Sequence, residues 1–84
     1  MDKLSKLPNI GKKLEEQLNR IGICSFEELK NTGSKDAWLK IKAFDPSACI
    51  NRLYALEGAV ENIKKTELSE EKKEELKAFY RMNK

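Results

Sequence analysis

From Ile10 to Tyr80 the apolar residues of this chain recur in steps of three and four, and Pro8, Gly22, Gly33 and the Asp45-Pro46 pair cut that pattern into short pieces. Steps of three and four trace one face of a helix, and Gly and Pro stop helices, so the pattern specifies several short amphipathic helices. No stretch alternates with the period of a strand, and none repeats at the period of a solenoid. The expected fold class is all-α: a compact bundle of about five short helices forming one domain over residues 1–84.

The local signals place the helices. Met1 to Lys6 is short, with Leu4 and Leu7 either making a turn of helix or packing as an anchoring arm, and Pro8 biases Leu7 away from the helical region. Asn9 tolerates a left-handed backbone or caps the next helix, and Ile10, Leu14, Leu18 and Ile21 form the stripe of a first helix that Gly22 closes. Ser25 and Glu28 make a capping box for a second helix, with Cys24 and Leu29 as the pair across it. Ser34 is expected to cap a third helix carrying Ala37, Trp38, Ile41 and Phe44 on one face, with Trp38 in the core rather than serving as a stacking platform.

Asp45-Pro46 reads as the start of a fourth helix, with Asp as cap and Pro at the first helical position. Its seam is Cys49, Leu53, Leu56, Val60 and Ile63, and it is expected to end near Lys64-Lys65-Thr66. Gly58, beside Ala55 and Ala59, costs about 1 kcal/mol of helix stability relative to Ala, which suggests that another helix approaches there. Ser69 caps a fifth helix with Glu70 and Glu71 in its first turn, Lys77 and Arg81 toward its end, and Leu76, Phe79 and Tyr80 on its apolar face.

Composition removes whole classes of function. With no histidine and only Cys24 and Cys49, a Ser-His or Cys-His catalytic pair and most zinc sites are excluded. The adjacent carboxylates Glu15-Glu16, Glu27-Glu28 and Glu70-Glu71 project about a hundred degrees apart on a helix, so they make no acid/base pair. No glycine-rich nucleotide fingerprint is present, and neither an enzyme nor a cofactor is expected. The cysteines sit among apolar neighbours and are expected to be small buried hydrophobes. Neither a signal peptide nor a long apolar run occurs, so the expected setting is the cytoplasm with no membrane partner.

The candidate site is Asn9, Ile10, Gly11, Lys12 and Lys13. A turn feeding a helix start offers unpaired N–H groups and the positive end of the helix dipole, two lysines add charge, and Gly11 permits close approach of whatever docks. The net charge is +3, and the excess lies in residues 1–42, with nine Lys/Arg against six Asp/Glu. Phosphate is the chemistry that fits this stretch.

These residues carry two resemblances. Leu7-Pro8-Asn9-Ile10-Gly11-Lys12-Lys13, with Leu18 and Gly22-Ile23, resembles the hairpin and second helix of a helix-hairpin-helix motif, in which Asn9 replaces the first glycine. This resemblance implies a helix-hairpin-helix-like N-terminal half whose backbone amides contact duplex DNA phosphates without reading bases; only residues 1–7 are available for the preceding helix. On the larger scale, Asn9-Ile10-Gly11-Lys12, Gly22-Ile23, Phe26-Glu27-Glu28-Leu29, Thr32-Gly33, Ala37-Trp38, Ile41-Lys42 and Leu53-Tyr54-Ala55-Leu56-Glu57-Gly58-Ala59 resemble the C-terminal domain of the TfoX/Sxy family. That family regulates natural competence in bacteria, and the resemblance implies a transcriptional co-regulator acting beside a DNA-bound activator. Full-length members carry a separate N-terminal domain, so an excised domain or a stand-alone relative is expected.

Two partners are therefore in view: double-stranded DNA bound non-specifically, or a transcription-regulator protein docked on the Leu53–Ala59 seam with no direct DNA contact. A domain that only folds and dimerises is the third reading. Convergence of Lys12, Lys13, Lys35, Lys40 and Lys42 around the turn would favour DNA, and scattered lysines would favour the protein partner.

Overall fold

In the computed structural model, which describes residues 4–83, a 3-10 turn at Leu4–Lys6 precedes five α-helices. They are α1 (Lys12–Arg20), α2 (Phe26–Thr32), α3 (Ser34–Phe44), α4 (Ile50–Glu61) and α5 (Glu70–Asn83), and a second 3-10 turn at Lys65–Glu67 joins the last two. No strand occurs among the described residues, so the all-α reading holds. Met1–Lys3 of the expected arm lie outside the described residues; its remainder is the first 3-10 turn, with Leu4 buried in the core.

Helix α4 is the centre of the packing, touching α2, α3, α5 and the second 3-10 turn. Leu53 and Leu56 on α4 meet Leu18, Leu29, Ile41 and Leu76 in a core from which water is excluded. Trp38 is completely buried, as its size predicted. Its indole N–H donates to the Cys49 carbonyl at 3.2 Å, while Phe79 meets it edge-on and Tyr80 tilts against it, with ring centroids 6.0 and 5.6 Å away. The polar atom of the largest apolar side chain is thus satisfied within the fold.

Several stops and starts agree with the sequence signals. The Gly22 N–H bonds Asn19 O at 3.0 Å and the Ile23 N–H bonds Leu18 O at 2.9 Å, so α1 ends in a Schellman motif with Gly22 at φ +91°. Ser25 Oγ accepts from the Glu28 N–H, and the Glu28 carboxylate accepts from the Cys24 N–H. Ser69 Oγ accepts from the Lys72 N–H and starts α5.

Other expectations are corrected. Ser34 does not cap α3; Gly33 holds that position, and Ser34, buried in the first turn, donates its hydroxyl to Glu57 on α4 at 2.6 Å. Asp45 and Pro46 do not start α4, which begins at Ile50 after Cys49. The Asp45 carboxylate instead closes a tight turn by accepting the N–H and hydroxyl of Ser47, a local bond that competes with helix formation. Helix α4 stops at Glu61, before Lys64, because Asn62 takes a left-handed backbone at φ 59° and the Ile63 N–H returns to Gly58 O at 2.8 Å. This is the same closing motif as at Gly22, with asparagine in the glycine position. Both cysteines are exposed rather than buried, since each lies in an extended segment just before a helix instead of on an inward face.

Candidate functional site

The stretch from Asn9 to Lys13 divides into a buried half and an open half. Asn9 adopts φ 70°, the left-handed conformation expected where the helix-hairpin-helix pattern has glycine. Its side chain does not cap α1. The amide nitrogen donates to Ile63 O at 3.0 Å and, more weakly, toward Ala55 O at 3.5 Å, while its oxygen accepts from the Lys65 N–H at 2.9 Å. One side chain therefore bonds the backbone at the C-terminal end of α4 and at the start of the second 3-10 turn. Ile10 is buried in the core.

Gly58 is explained by this clamp, not by an approaching helix. A Cβ there would overlap Asn9 Nδ2 and stand 2.9 Å from Ile63 O and 3.2 Å from Lys65 N. The small face of α4 thus receives a turn of backbone and an amide, correcting the helix–helix expectation.

The open half is Gly11, Lys12 and Lys13, all exposed. Gly11 is the N-cap of α1 with φ −90° and ψ −179°, a conformation open to any residue, and nothing lies within 4 Å of where a Cβ would stand. No side chain caps α1. Neither lysine has a carboxylate partner among the described residues. The helix expected before the hairpin is only the 3-10 turn Leu4–Lys6, tied to α1 by the Ser5 N–H donating to Glu15 at 3.1 Å.

Of the other lysines named from the sequence, Lys35 and Lys42 are engaged elsewhere and do not converge on the turn, an outcome that by the sequence criterion favours the protein partner over DNA. Lys35 bonds Glu75 on α5 at 2.7 Å, and Lys42 lies over the Trp38 ring and donates to the Asn83 carbonyl. Lys40 is exposed on α3. Lys64 and Lys65, absent from the expected set, are the lysines that Asn9 brings beside the turn. They escaped sequence reasoning because the contact spans 56 residues; the only signal was asparagine where the local motif has glycine.

Along the exposed side of α1 runs a shallow cleft of about 300 Å³ lined by Lys13, Glu16, Gln17, Arg20, Phe44 and Asp45. Arg20 stacks over the Phe44 ring at 4.5 Å. Asp45 accepts from Gln17 and Arg52, each at 2.8 Å. Hydrogen bonds from Ser47, then Arg52, then Gln17 hold its carboxyl well below the usual carboxylate range. Near Ser34, the hydrogen bond between the Glu57 and Glu61 carboxyls, with burial and the charge of Glu57, raises Glu61 above its ordinary value. No group of three metal-ligating side chains occurs among the described residues. No helix among them is long and apolar enough to cross a membrane.

Comparison with known proteins agrees with this architecture. The chain is similar to two solved structures from Listeria monocytogenes. One, an uncharacterized protein in a triclinic crystal form, is 52% identical over 96% of this chain and 92% of that one, with a TM-score of 0.95. The other, a protein of unknown function in a tetragonal form, is 51% identical over 98% of this chain and all of that one, with a TM-score of 0.94. No curated protein matches. The family model described as the TfoX C-terminal domain matches residues 1–80, and with nearly the whole length accounted for, the chain belongs to that family.

Proposed function

We propose that this chain is a single non-enzymatic regulatory domain that grips the phosphate backbone of double-stranded DNA, without reading base sequence, through the turn Asn9–Lys13. The observation that carries the proposal is Gly11. The protein itself has no need of glycine there, since the backbone is unstrained and the space beside it is open. An outside group that must approach the backbone does need it, and the uncapped start of α1 with Lys12 and Lys13 suits an anionic oxygen. Asn9 and Ile10 serve this site from below, one by clamping the turn and the other by anchoring it.

The reading of the Leu53–Ala59 seam as a protein-docking surface is weakened, because Leu53, Ala55, Leu56, Gly58 and Ala59 are buried within the chain while Tyr54 and Glu57 are half-buried. Titration of labelled duplex DNA at low and moderate salt, comparing wild type with Lys12→Glu/Lys13→Glu, tests the proposal. Binding is expected to weaken with salt at a slope of about 0.9 in log K for each phosphate neutralised, and the double variant is expected to lose affinity at every salt concentration. No binding at low salt, or an unchanged variant, overturns it and returns the protein-partner reading.

A further inference from the structure

We infer that the backbone contact is made by two chain segments rather than one, with Lys64 and Lys65 forming a second phosphate-binding arm beside Lys12 and Lys13. The inference rests on the DNA-backbone reading above and extends it to residues more than fifty positions away. Asn9 is the hinge pin of this composite surface. Its side-chain oxygen sits 2.9 Å from the Lys65 N–H and its amide nitrogen 3.0 Å from Ile63 O, so the backbone of residues 63–65 lies against the turn. Lys12 is three residues from Asn9, a separation the chain limits to about 11 Å between Cα atoms. Lys6 stands on the 3-10 turn that leads into the same corner.

Lys6, Lys12, Lys13, Lys64 and Lys65 are all exposed, and none has a carboxylate within ion-pair distance among the described residues. Two carboxylates close by in the chain bond backbone: Glu15 accepts from the Ser5 N–H, and Glu67 accepts from the Lys64 N–H at 3.0 Å. The second bond also fixes the conformation of the arm at Lys64. Four lysines on two segments, Lys12 and Lys13 on one and Lys64 and Lys65 on the other, joined through Asn9, match a duplex, whose phosphates line both strands at close spacing. They fit a single small anion poorly, because nothing encloses it.

The test is the salt dependence of duplex binding, followed by anisotropy of a labelled 20-base-pair duplex between 50 and 200 mM salt. Four phosphate contacts give a slope of about −3.6 and a loss of affinity of about a hundredfold over that range, and two contacts give about −1.8 and about tenfold. Wild type is expected near the first pair of values. Lys64→Gln/Lys65→Gln and Lys12→Gln/Lys13→Gln are each expected near the second. Lys30→Gln/Lys40→Gln removes the same charge from exposed positions on α2 and α3 and is expected to keep the wild-type slope. All six lysines are exposed, so helicity and thermal midpoint serve as checks that each variant is folded. If the Lys64/Lys65 variant behaves like the Lys30/Lys40 control while the Lys12/Lys13 variant is weakened, the second arm is refuted and the first reading stands. If Lys12/Lys13 has no effect, or wild type does not bind at 50 mM, the underlying reading fails and takes the arm with it.

Discussion

The face where α3 meets α5 and the corner where the Asn9 turn meets the end of α4 are both rich in lysine, yet they use it in opposite ways. On the first, Lys35 pairs with Glu75, Lys72 bridges Glu57 and Glu75, and Lys42 caps the Trp38 ring and reaches the Asn83 carbonyl. At the corner, Lys12, Lys13, Lys64 and Lys65 have no such partners among the described residues, and the side chains that bond there, the Asn9 amide and the Glu67 carboxylate, bond backbone. The contrast shows that the position of a lysine in the fold, more than the count of lysines, decides whether its charge is paired within the chain.

The strongest way to break the comparison is to remove what the first face is built on. Trp38→Ala deletes a fully buried side chain and its bond to Cys49, and is expected to cost about 3–5 kcal/mol in urea or thermal denaturation. A loss below 1 kcal/mol would mean that the face is not the stable half of the molecule.

The corner has its own structural test at Gly58. Gly58→Ala forces a methyl into Asn9 and the Ile63 carbonyl, with an expected loss of about 1–3 kcal/mol even though alanine favours helices. Asn9→Gly keeps the left-handed turn while deleting the clamp. In the Asn9→Gly background, Gly58→Ala should cost much less than alone, and additive losses in the double-mutant cycle would show that the two residues do not meet.

Acidification sharpens the comparison at Asp45. Its carboxyl is depressed in the folded protein by Ser47, Arg52 and Gln17, so the unfolded chain binds the proton more readily. The stabilisation is complete above the ordinary Asp value of about 3.9 and fades as pH falls toward the folded value. Wild type should therefore lose thermal stability below about pH 4 more steeply than Asp45→Asn. Parallel curves would remove Asp45 from the network joining α1 to the start of α4.

The smallest effect is the most direct contrast of lysine with lysine. Lys35→Gln breaks an exposed ion pair and should lower stability by at most about 1 kcal/mol, less at high salt, with duplex binding unchanged. Lys64→Gln/Lys65→Gln should do the reverse, leaving the melting midpoint in place and weakening the duplex. Matching behaviour of the two variants would erase the distinction between the regions.

Much of the fold was legible because its signals are local. Gly22, the Ser25–Glu28 box and the Ser69 cap each act within a few residues, and the three-and-four spacing of Leu14, Leu18, Trp38, Ile41, Leu53 and Leu56 names the core directly. The misread starts of α3 and α4 have one cause in common: a polar side chain took a partner other than the nearest helix end, whereas the early end of α4 comes from the left-handed backbone at Asn62. Asp45 turned to Ser47, Gln17 and Arg52, and Ser34 turned to Glu57 across the helix interface. The candidate site was half legible in the same sense. Gly11-Lys12-Lys13 could be read as an uncapped helix start, but the role of Asn9 could not.

By itself, then, the amino-acid sequence determined the helical class, the apolar face of each helix and most of the stops, since these depend on backbone preferences and periodicity over a few residues. Tertiary structure alone decided which lysines share a corner and why Gly58 is a glycine. A hydrogen bond spanning 56 residues leaves no trace in any local window, and the space it requires exists only once α4 has folded against the turn that carries Asn9.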